Sequence, residues 1–272
     1  MKAINLLAPL LAFPAAQAAC SREALLQTVD EYLLGLSMGL AGPLQNIADD
    51  FTYIENNKNI KIISGLLGNI LKIEHNRTTV DMEACATYTE VISATSYRPW
   101  VAGTQILHHT HDNSVYLIDS IVSTTGSLFF NATQTLYYAQ QEDWGVIEPS
   151  KRGSRETLKA AADAYLDMWH NKSAIDAVPW GTPCARLEGS LYTGTGSPDD
   201  SCKVGIPTNN TQLPISNRRY VIDETVGSVN VLCAFEPLDN APDSHEFRLE
   251  GGKLRYVHTI TVTKERTTFP AE

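Results

Sequence analysis

The sequence lacks several features that mark common classes of protein. After its first segment it has no uninterrupted apolar run of about 18 residues, so no membrane-spanning helix is predicted. Its 21 lysines and arginines form no run and are outnumbered by 31 acidic residues, which argues against nucleic acids and anionic membranes as partners. It also has no nucleophile elbow, phosphate-binding loop or dinucleotide fingerprint, so serine hydrolases, kinases and dehydrogenases have no support. We therefore expect a small-molecule partner and no cofactor.

The chain does contain enough apolar residues, 43% of 272, to bury the core of one large or two small domains. Residues 1–18 combine an early basic residue, Lys2, with the apolar run Ile4–Phe13 and an Ala-Gln-Ala pattern of the kind that signal peptidase cleaves. We interpret this segment as a signal peptide and exclude it from the fold. The mature protein is then expected in the secretory pathway or outside the cell.

Five cysteines in an oxidising compartment leave one without a partner. Cys184 and Cys202 bracket a loop rich in Gly, Pro and Ser that a disulfide would close, and a bond from Cys20 to Cys85 would fix the start of the first helix. Cys233 lies in an apolar strand pattern and is expected to be buried and free. Four N-glycosylation sequons fit the same compartment: Asn76, Asn131, Asn171 and Asn209.

The sequence contains an internal duplication. Ser21 precedes a helical pattern at 22–36, and Ser154 precedes a second one at 155–169. The same residue (Arg, Glu, Leu, Asp, Tyr and Leu, in that order) occurs at six matching positions of the two patterns, at a constant offset of 133. Such self-similarity predicts two equivalent structural units in one chain.

Each copy continues with strand patterns, so each unit is predicted to be an α+β fold in which one helix is followed by a curved, mainly antiparallel sheet. The units are 19–145 and 146–272, and we expect them to pack sheet on sheet, as a fused homodimer would. Continued without a gap, the offset of 133 aligns Glu55 of the first copy with Glu188 of the second. A poorly patterned helical stretch is expected at 63–73. The other expected elements are strands at 87–95, 101–110 and 115–122 with a hairpin at 128–140, and then strands at 219–225 and 229–235 with a hairpin at 242–262.

The last of these hairpins carries two histidines. Counting outward from a two-residue Gly-Gly turn gives three facing pairs: Leu249 with Leu254, Phe247 with Tyr256, and His245 with His258. On this register both histidines share one face with Tyr256, while Glu246 and Arg248 face solvent. The pattern fits a pocket in which His245 or His258 moves a proton. It also fits two half-buried histidines bonded to backbone or hydroxyl groups.

Further candidates for chemistry lie on other strands of the second unit. Glu188 is a candidate base if a pocket desolvates it, and the alternative is a salt bridge to Arg186 or Arg219. Tyrosine hydroxyls could stabilise an oxyanion, and a guanidinium could hold an anionic substrate. Trp180 is expected either at a loop entrance or in the core. The candidate catalytic residues are thus His245, His258, Glu188 and Tyr256, and the candidate substrate-binding residues are Arg186, Tyr192, Tyr220 and Trp180.

A second group of histidines occupies 108–111 in the first unit. His109 and His111 share one face of a strand, and His108 points to the other. Spacing of i and i+2 on one strand can hold a metal, but no acidic or thiol partner lies at a recognisable ligand spacing. We interpret the group as the solvated end of a turn and predict no metal site.

Three parts of the second unit carry a resemblance to a known family: 178–194, 217–223, and the hairpin segments 242–248 and 255–259. On these motifs the chain resembles fungal secreted proteins built from two units of the nuclear-transport-factor-2-like, or ketosteroid-isomerase-like, fold. The resemblance implies a cone-shaped pocket within the sheet of each unit.

Some members of that family look like the dimerising cyclases of fungal maleidride clusters, which join two maleic-anhydride polyketide units. This likeness implies a cofactor-free cyclase or isomerase that removes a proton from an enolisable polyketide and adds the carbanion to a second unit. An accessory protein of the same pathway would then be a partner. The alternative is a secreted small-molecule carrier without catalysis.

Overall fold

The computed structural model describes residues 20–206 and 213–263. The predicted signal peptide and the sequon at Asn209 lie outside the described residues. Within the described ranges the chain forms three α-helices: α1 (Arg22–Met38), α2 (Ala132–Ala139) and α3 (Arg155–Asp167). None of these helices has the length and apolar character needed to cross a membrane.

Helices α1 and α3 begin where the duplicated sequence pattern begins. The Ser21 hydroxyl accepts a hydrogen bond from the third residue beyond it, and Ser154 caps α3 in the same way, which satisfies a free backbone N–H at each helix start. The tyrosines at the same position in the two copies, Tyr32 and Tyr165, are both fully buried. The predicted duplication of the opening helix is therefore confirmed.

Twelve strands in the described part of the chain follow the same plan in both halves. The strands of the first sheet are β1 (Ile47–Glu55), β2 (Lys58–Asn59), β3 (His75–Asp81), β4 (Ala86–Ser93), β5 (Trp100–His108) and β6 (Val115–Thr124). Those of the second sheet are β7 (Ala185–Glu188), β8 (Leu191–Tyr192), β9 (Ser216–Asp223), β10 (Ser228–Phe235), β11 (Ala241–Glu250) and β12 (Lys253–Thr261).

The strand order is the same in both sheets, β2-β1-β6-β5-β4-β3 and β8-β7-β12-β11-β10-β9. In each sheet the first strand runs parallel to the last, and all other neighbours are antiparallel. Glu55 and Glu188 end these two first strands, as the offset predicted. The predicted α+β class, with two sheet-plus-helix halves, is confirmed at this level.

Large apolar clusters hold these layers together. One lies between α1 and the first sheet, around Tyr32 and Ile118. A second lies between α3 and the second sheet, around Tyr165 and Phe247. A third joins residues of both sheets and of α2, including Tyr88 and residues of β9, β10 and β12. Each sheet therefore buries one face against its helix and the other against the opposite sheet.

Both predicted disulfides are present, and the prediction for the fifth cysteine is also confirmed. Cys20 is bonded to Cys85, Cys184 is bonded to Cys202, and Cys233 is free and buried. Disulfides of this kind are typical of proteins from oxidising compartments. The asparagines of the three described sequons, Asn76, Asn131 and Asn171, are exposed.

Two predicted elements are wrong. The expected hairpin at 128–140 is helix α2, because Asn131 caps a turn there and the buried residues Ala132, Thr135 and Ala139 recur at helical rather than alternate spacing. The expected helical stretch at 63–73 contains only two short 3₁₀ turns, Ile62–Ser64 and Leu66–Gly68.

The register of the last hairpin is also corrected. Gly251 and Gly252 do form the turn, and both take the positive φ angles (57° and 74°) that glycine adopts without strain. Between the next pairs, however, the register shifts by one residue at a β-bulge. His245 consequently faces Thr259, and His258 faces Glu246. The two histidines lie on opposite faces of the sheet, and Glu246 and Arg248 are buried instead of solvated.

Candidate functional site

A cavity of about 590 Å³ opens where the connecting helix α2 meets the edge of the second sheet. We call it the tyrosine cleft. Its defining residues are Tyr137 and Tyr138 of α2, Tyr192 of β8, Arg255 and Tyr256 of β12, and the loop 194–200. This volume lies within the range of roughly 300–1,000 Å³ that small-molecule sites occupy.

The tyrosines of the cleft form an ordered aromatic surface. The rings of Tyr138 and Tyr192 stack with centroids 4.4 Å apart and planes only 10° from parallel, and Tyr137 meets Tyr138 edge to face at 5.2 Å. On the opposite side the Arg255 guanidinium lies 4.1 Å from the centroid of the Tyr256 ring. Such faces bind planar rings by stacking, and the guanidinium adds a site for an anionic substituent.

The loop that forms one wall of the cleft is held in place by Asp200. Its carboxylate accepts hydrogen bonds from the Thr195 hydroxyl and from the backbone N–H groups of Thr195, Gly196 and Ser197, at 2.7–3.1 Å. The Thr195 hydroxyl bond is the largest influence that holds the pKa of Asp200 below its ordinary value. Asp200 is thus ionised, and its hydrogen bonds to residues 195–197 stabilise the conformation of this loop.

A buried group of charged residues lies behind the cleft, between the two sheets. We call it the inter-sheet charge cluster, and its members are Arg77, Glu90, Glu142, Glu246 and His258. His258 is in contact with two carboxylates, Glu90 at 2.9 Å through Nδ1 and Glu142 at 2.6 Å through Nε2. Arg77 of β3 reaches Glu246 of β11 at 2.5 Å and Glu90 at 3.4 Å. The cluster therefore ties the first half of the chain to the second.

The carboxylates of the cluster keep both of its basic residues, His258 and Arg77, in the charged form. Burial by itself would lower the pKa of His258, but the charges of Glu142 and Glu90 outweigh it and raise that pKa to about 9. Burial would raise the pKa of Glu90, but Arg77 and His258 hold it far below its ordinary value. Arg77 keeps its charge because its two carboxylate partners also outweigh its burial. An imidazolium locked between two carboxylates is a poor general base.

The cluster reaches the cleft through Glu142. The indole N–H of Trp144 donates a hydrogen bond to this carboxylate at 2.8 Å, and the negative charge of Glu142 helps to raise the pKa of the Tyr192 phenol at the cleft wall. The Trp144 ring lies between the Arg77 guanidinium, 3.7 Å from its centroid, and the ring of Tyr256, with centroids 5.7 Å apart. Burial is the largest of the effects that raise the pKa of Tyr192, so its phenol stays protonated and remains a donor at the cleft wall.

The remaining candidate residues lie on the other face of the second sheet, toward α3. Glu188 is in a salt bridge with Arg186 at 2.9 Å, which is the alternative that the sequence left open. The same guanidinium contacts the Tyr165 hydroxyl at 3.2 Å. His245 lies among aromatic rings and beside Asp243, 2.5 Å from its carboxylate.

Two candidate substrate-binding residues have structural partners. The Tyr220 hydroxyl donates to Asp163 of α3 at 2.6 Å, and the Trp180 indole donates to the Ile175 carbonyl at 2.9 Å while its ring packs on the core. The structure thus places Tyr256 and Tyr192 in the lining of the tyrosine cleft and His258 in the buried cluster behind it. It places His245, Glu188, Arg186, Tyr220 and Trp180 elsewhere.

Of the histidines at 108–111, His109 and His111 lie together, with ring centroids 5.2 Å apart, and His108 lies apart from them. His108 is buried next to the Cys85 carbonyl, and its burial lowers the pKa of the ring. His109 stacks on Tyr116 and lies 3.0 Å from Asp50, an acidic partner that its sequence spacing had not indicated. His111 is exposed beside Asp112.

Sequence reasoning missed most of the charge cluster and the α2 side of the cleft. Glu90 had a usable signal, because an acidic residue in the middle of the apolar strand β4 needs a buried partner. Glu142 had none, since it lies in the irregular segment between the two copies. Tyr137 and Tyr138 fall in a pattern that predicts a strand, and a strand there would not place their side chains in the lining of the cleft.

Comparison with protein families finds that a model described as a domain of unknown function (DUF8021) matches residues 151–261. The match runs from just before α3 to the end of β12 and so covers the second half of the fold. No curated protein matches the chain. No solved structure matches it either.

Proposed function

We propose that each half is a unit of the ketosteroid-isomerase-like fold and that the chain is a secreted protein that binds a small organic molecule in the tyrosine cleft. The fold proposal is supported by a single long helix packed on a six-stranded sheet whose first strand runs parallel to its last, repeated in both halves. The disulfides support a location in the secretory pathway or outside the cell.

The observation that carries the binding proposal is the aromatic lining of the cleft. Four tyrosines face a cavity large enough for a drug-sized molecule, and two of them are already stacked. Arg255 is a cationic group at its rim. We therefore infer a ligand with a planar or conjugated ring and an anionic or carbonyl substituent.

Binding is better supported than catalysis because the described residues around the cleft supply proton donors but no free base. Tyr192 and Tyr256 keep their protons, since burial is the main effect raising the pKa of each. His258 is protonated and paired, and the pKa of Glu142 lies below its ordinary value because His258 outweighs its burial. Removing a carbon-bound proton requires a base whose pKa is near the working pH.

A second candidate is the cyclase or isomerase that the family resemblance implies. One observation favours it: Glu142, which contacts His258 at 2.6 Å, also acts electrostatically on the Tyr192 phenol at the cleft and helps to keep it protonated. A protonated phenol at this place could donate to the oxyanion of an enolised polyketide. In this candidate Tyr192 and Tyr256 stabilise the oxyanion, and an accessory protein or the substrate supplies the base.

The binding proposal can be tested by titrating the protein with planar carbonyl compounds, including an alkyl maleic anhydride in its hydrolysed diacid form, while following intrinsic tryptophan fluorescence, to which Trp144 beside the cleft contributes. We expect Tyr138→Ala and Tyr192→Ala each to weaken binding about 3- to 10-fold, the usual contribution of one aromatic contact. Tyr192→Phe should retain most of the affinity, because it keeps the stacked ring. Tyr220→Phe, which lies outside the cleft, is the matched control.

The two candidates differ in what happens to the bound compound. Under the binding proposal the ligand is recovered unchanged after prolonged incubation. Under the cyclase proposal mass spectrometry detects a dimeric or isomerised product, and Tyr192→Phe lowers its rate about 10²- to 10³-fold, as loss of an oxyanion donor does. Affinity that is unchanged in both alanine variants would contradict the assignment of the cleft.

A further inference from the structure

Three different metal-ligating side chains converge inside the second half, on the face of the sheet opposite the tyrosine cleft. Cys233 of β10 lies directly across from Asp243 of β11, and His245 is two residues further along the same strand and on the same face. The thiol Sγ lies 3.6 Å from Asp243 Oδ2, and His245 Nδ1 lies 2.5 Å from the same oxygen. All three ligand atoms are within 4.8 Å of one another.

This group is buried and incompletely satisfied. Cys233 and Asp243 have no solvent exposure and His245 only 3%. Within the described residues His245 Nδ1 makes no hydrogen bond of acceptable geometry, although the carboxylate oxygen is so close. A buried imidazole nitrogen aimed at a carboxylate and a thiol without a proper hydrogen bond is costly unless something binds between them.

The first half shows that the fold does not require polar residues here. The strand pair β10–β11 of the second sheet corresponds to β4–β5 of the first. In each pair the third facing position from the connecting loop is equivalent: Cys233 faces Asp243 in the second sheet, and Val91 faces Ala102 in the first. The next strand adds Thr261 in the second sheet. In the first sheet it adds Val122. An apolar row in one copy thus corresponds to a thiol, a carboxylate and a hydroxyl in the other.

We propose that Cys233, Asp243 and His245 form a binding site for a divalent metal ion of borderline softness, with Zn²⁺ the best match. Thiolate, imidazole and carboxylate are the three side-chain ligand types that Zn²⁺ uses, at about 2.3, 2.0 and 2.0 Å. Tetrahedral bonds of those lengths separate sulfur from oxygen by about 3.5 Å, close to the 3.6 Å between Sγ and Oδ2. The short contact between Nδ1 and Oδ2 would open to about 3.3 Å around the ion.

The surroundings suit a metal site of this kind. The Thr261 hydroxyl donates to Asp243 Oδ1 at 2.7 Å, which orients the carboxylate and leaves Oδ2 free for the ion. Aromatic rings of Phe235 and Phe247 stack against the imidazole, with centroids 5.9 and 5.8 Å away, and fix its plane. Binding releases the Cys233 thiol proton to solvent, and three protein ligands leave a fourth position for water.

Cobalt is a suitable probe, because Co²⁺ bound to a thiolate absorbs in the near ultraviolet through charge transfer from sulfur. The full chain, treated with a chelator and dialysed, is titrated with Co²⁺ and then with Zn²⁺. We expect one equivalent of Co²⁺ to produce the thiolate band and Zn²⁺ to remove it. Cys233→Ser should abolish the band, and His245→Gln should abolish or greatly weaken binding.

Three further variants test whether the thiolate band arises at the proposed site. Thr261→Val removes only the support of the carboxylate and should weaken affinity about 10-fold or more. His111→Ala, which removes an exposed histidine beside Asp112, should leave the thiolate band unchanged. The triple variant Cys233→Val, Asp243→Ala, Thr261→Val copies the apolar row of the first half and should fold without binding the metal.

The proposal is overturned if the wild-type chain gives no thiolate band with Co²⁺, since the three groups would then be a hydrogen-bonded network without a metal. It is equally overturned if the bound Co²⁺ is lost in His111→Ala but retained in Cys233→Ser. Because the first outcome is measured on the unmodified protein, it does not depend on whether any variant folds.

Discussion

The two ends of the interface between the sheets offer an internal comparison. Arg77 of β3 and Arg219 of β9 occupy equivalent positions, because each pairs with the same place on the following strand, Glu90 in β4 and Leu232 in β10. Each arginine also crosses to the sheet of the other half. Arg77 reaches Glu246 at 2.5 Å, and Arg219 reaches Asp119 at 2.6 Å. Both halves therefore use an arginine at this position for an ion pair with the other half, although the carboxylate lies on β11 in one case and on β6 in the other.

The surroundings of the two arginines differ greatly. Arg77 belongs to the five-residue charge cluster, whereas the partners of Arg219 among the described residues include one carboxylate, that of Asp119, and the amide oxygen of Asn57 at 2.8 Å. The Arg77 side chain is 11% exposed and that of Arg219 is 23% exposed. The comparison shows that the fold requires only a simple ion pair at this position. The additional charges accumulate at the end of the interface that adjoins the tyrosine cleft.

The largest effect is expected from removing the two arginines separately. Arg77→Met leaves Glu246 buried without a cation and leaves Glu90 paired with His258, and it should lower the free energy of unfolding by about 5 kcal/mol. Arg219→Met breaks a partly solvated pair and should cost about 1–2 kcal/mol. Urea denaturation of the two variants measures the difference. Equal losses would show that the cluster stabilises the interface no more than an ordinary ion pair does.

The two disulfides should differ by a smaller amount. Cys20–Cys85 closes a loop with a sequence separation of 65, and Cys184–Cys202 one of 18. On the chain-entropy scale, replacing the first pair by alanines should cost about 4 kcal/mol and the second about 3 kcal/mol. Only the second pair anchors the loop of the tyrosine cleft, so only its loss should also weaken ligand binding. A binding defect in the first variant would contradict this assignment.

The last expected effect concerns pH, and only the Arg77 end of the interface should show it. The pKa of His258 is about 9 in the folded protein, above the value of about 6.5 for an unfolded chain. Its stabilising contribution is therefore complete below pH 6.5 and is lost as the pH rises through 9, a loss on the order of 3 kcal/mol. Denaturation midpoints at pH 6, 8 and 10 measure it. His258→Gln is the control, and a wild-type slope that persists in this variant would exclude His258 as its source.

Local sequence patterns predicted much of the fold. The caps and periodicity of α1 and α3, the offset between the copies and the cysteine spacing each depend on residues close together in the chain, and each prediction is confirmed. The helix α2 was missed because its run of large apolar and aromatic residues also suits a strand. Its buried positions, Ala132, Thr135 and Ala139, are small and carry a weak periodic signal.

The candidate site was predicted only in part, and one residue accounts for most of the error. The extra residue in the last hairpin, near Arg255, shifts the register by one. Because side chains alternate, a shift of one moves His258 and Tyr256 to the face opposite His245. A bulge depends on contacts with distant strands and leaves no mark in the pattern of the hairpin itself. The partners Glu90 and Arg77 come from the other half of the chain and are likewise invisible to local reasoning.

Helix α2 has a consequence for how this protein could have arisen. It lies in the segment that joins the two halves, and it supplies Tyr137 and Tyr138 to the cleft. A dimer of two separate chains has no such joining segment. In this chain the wall belongs to the joining segment, so fusion of two such units would supply a recognition surface as well as a permanent partner. The second half expressed alone should keep its sheet and helix but lose that surface.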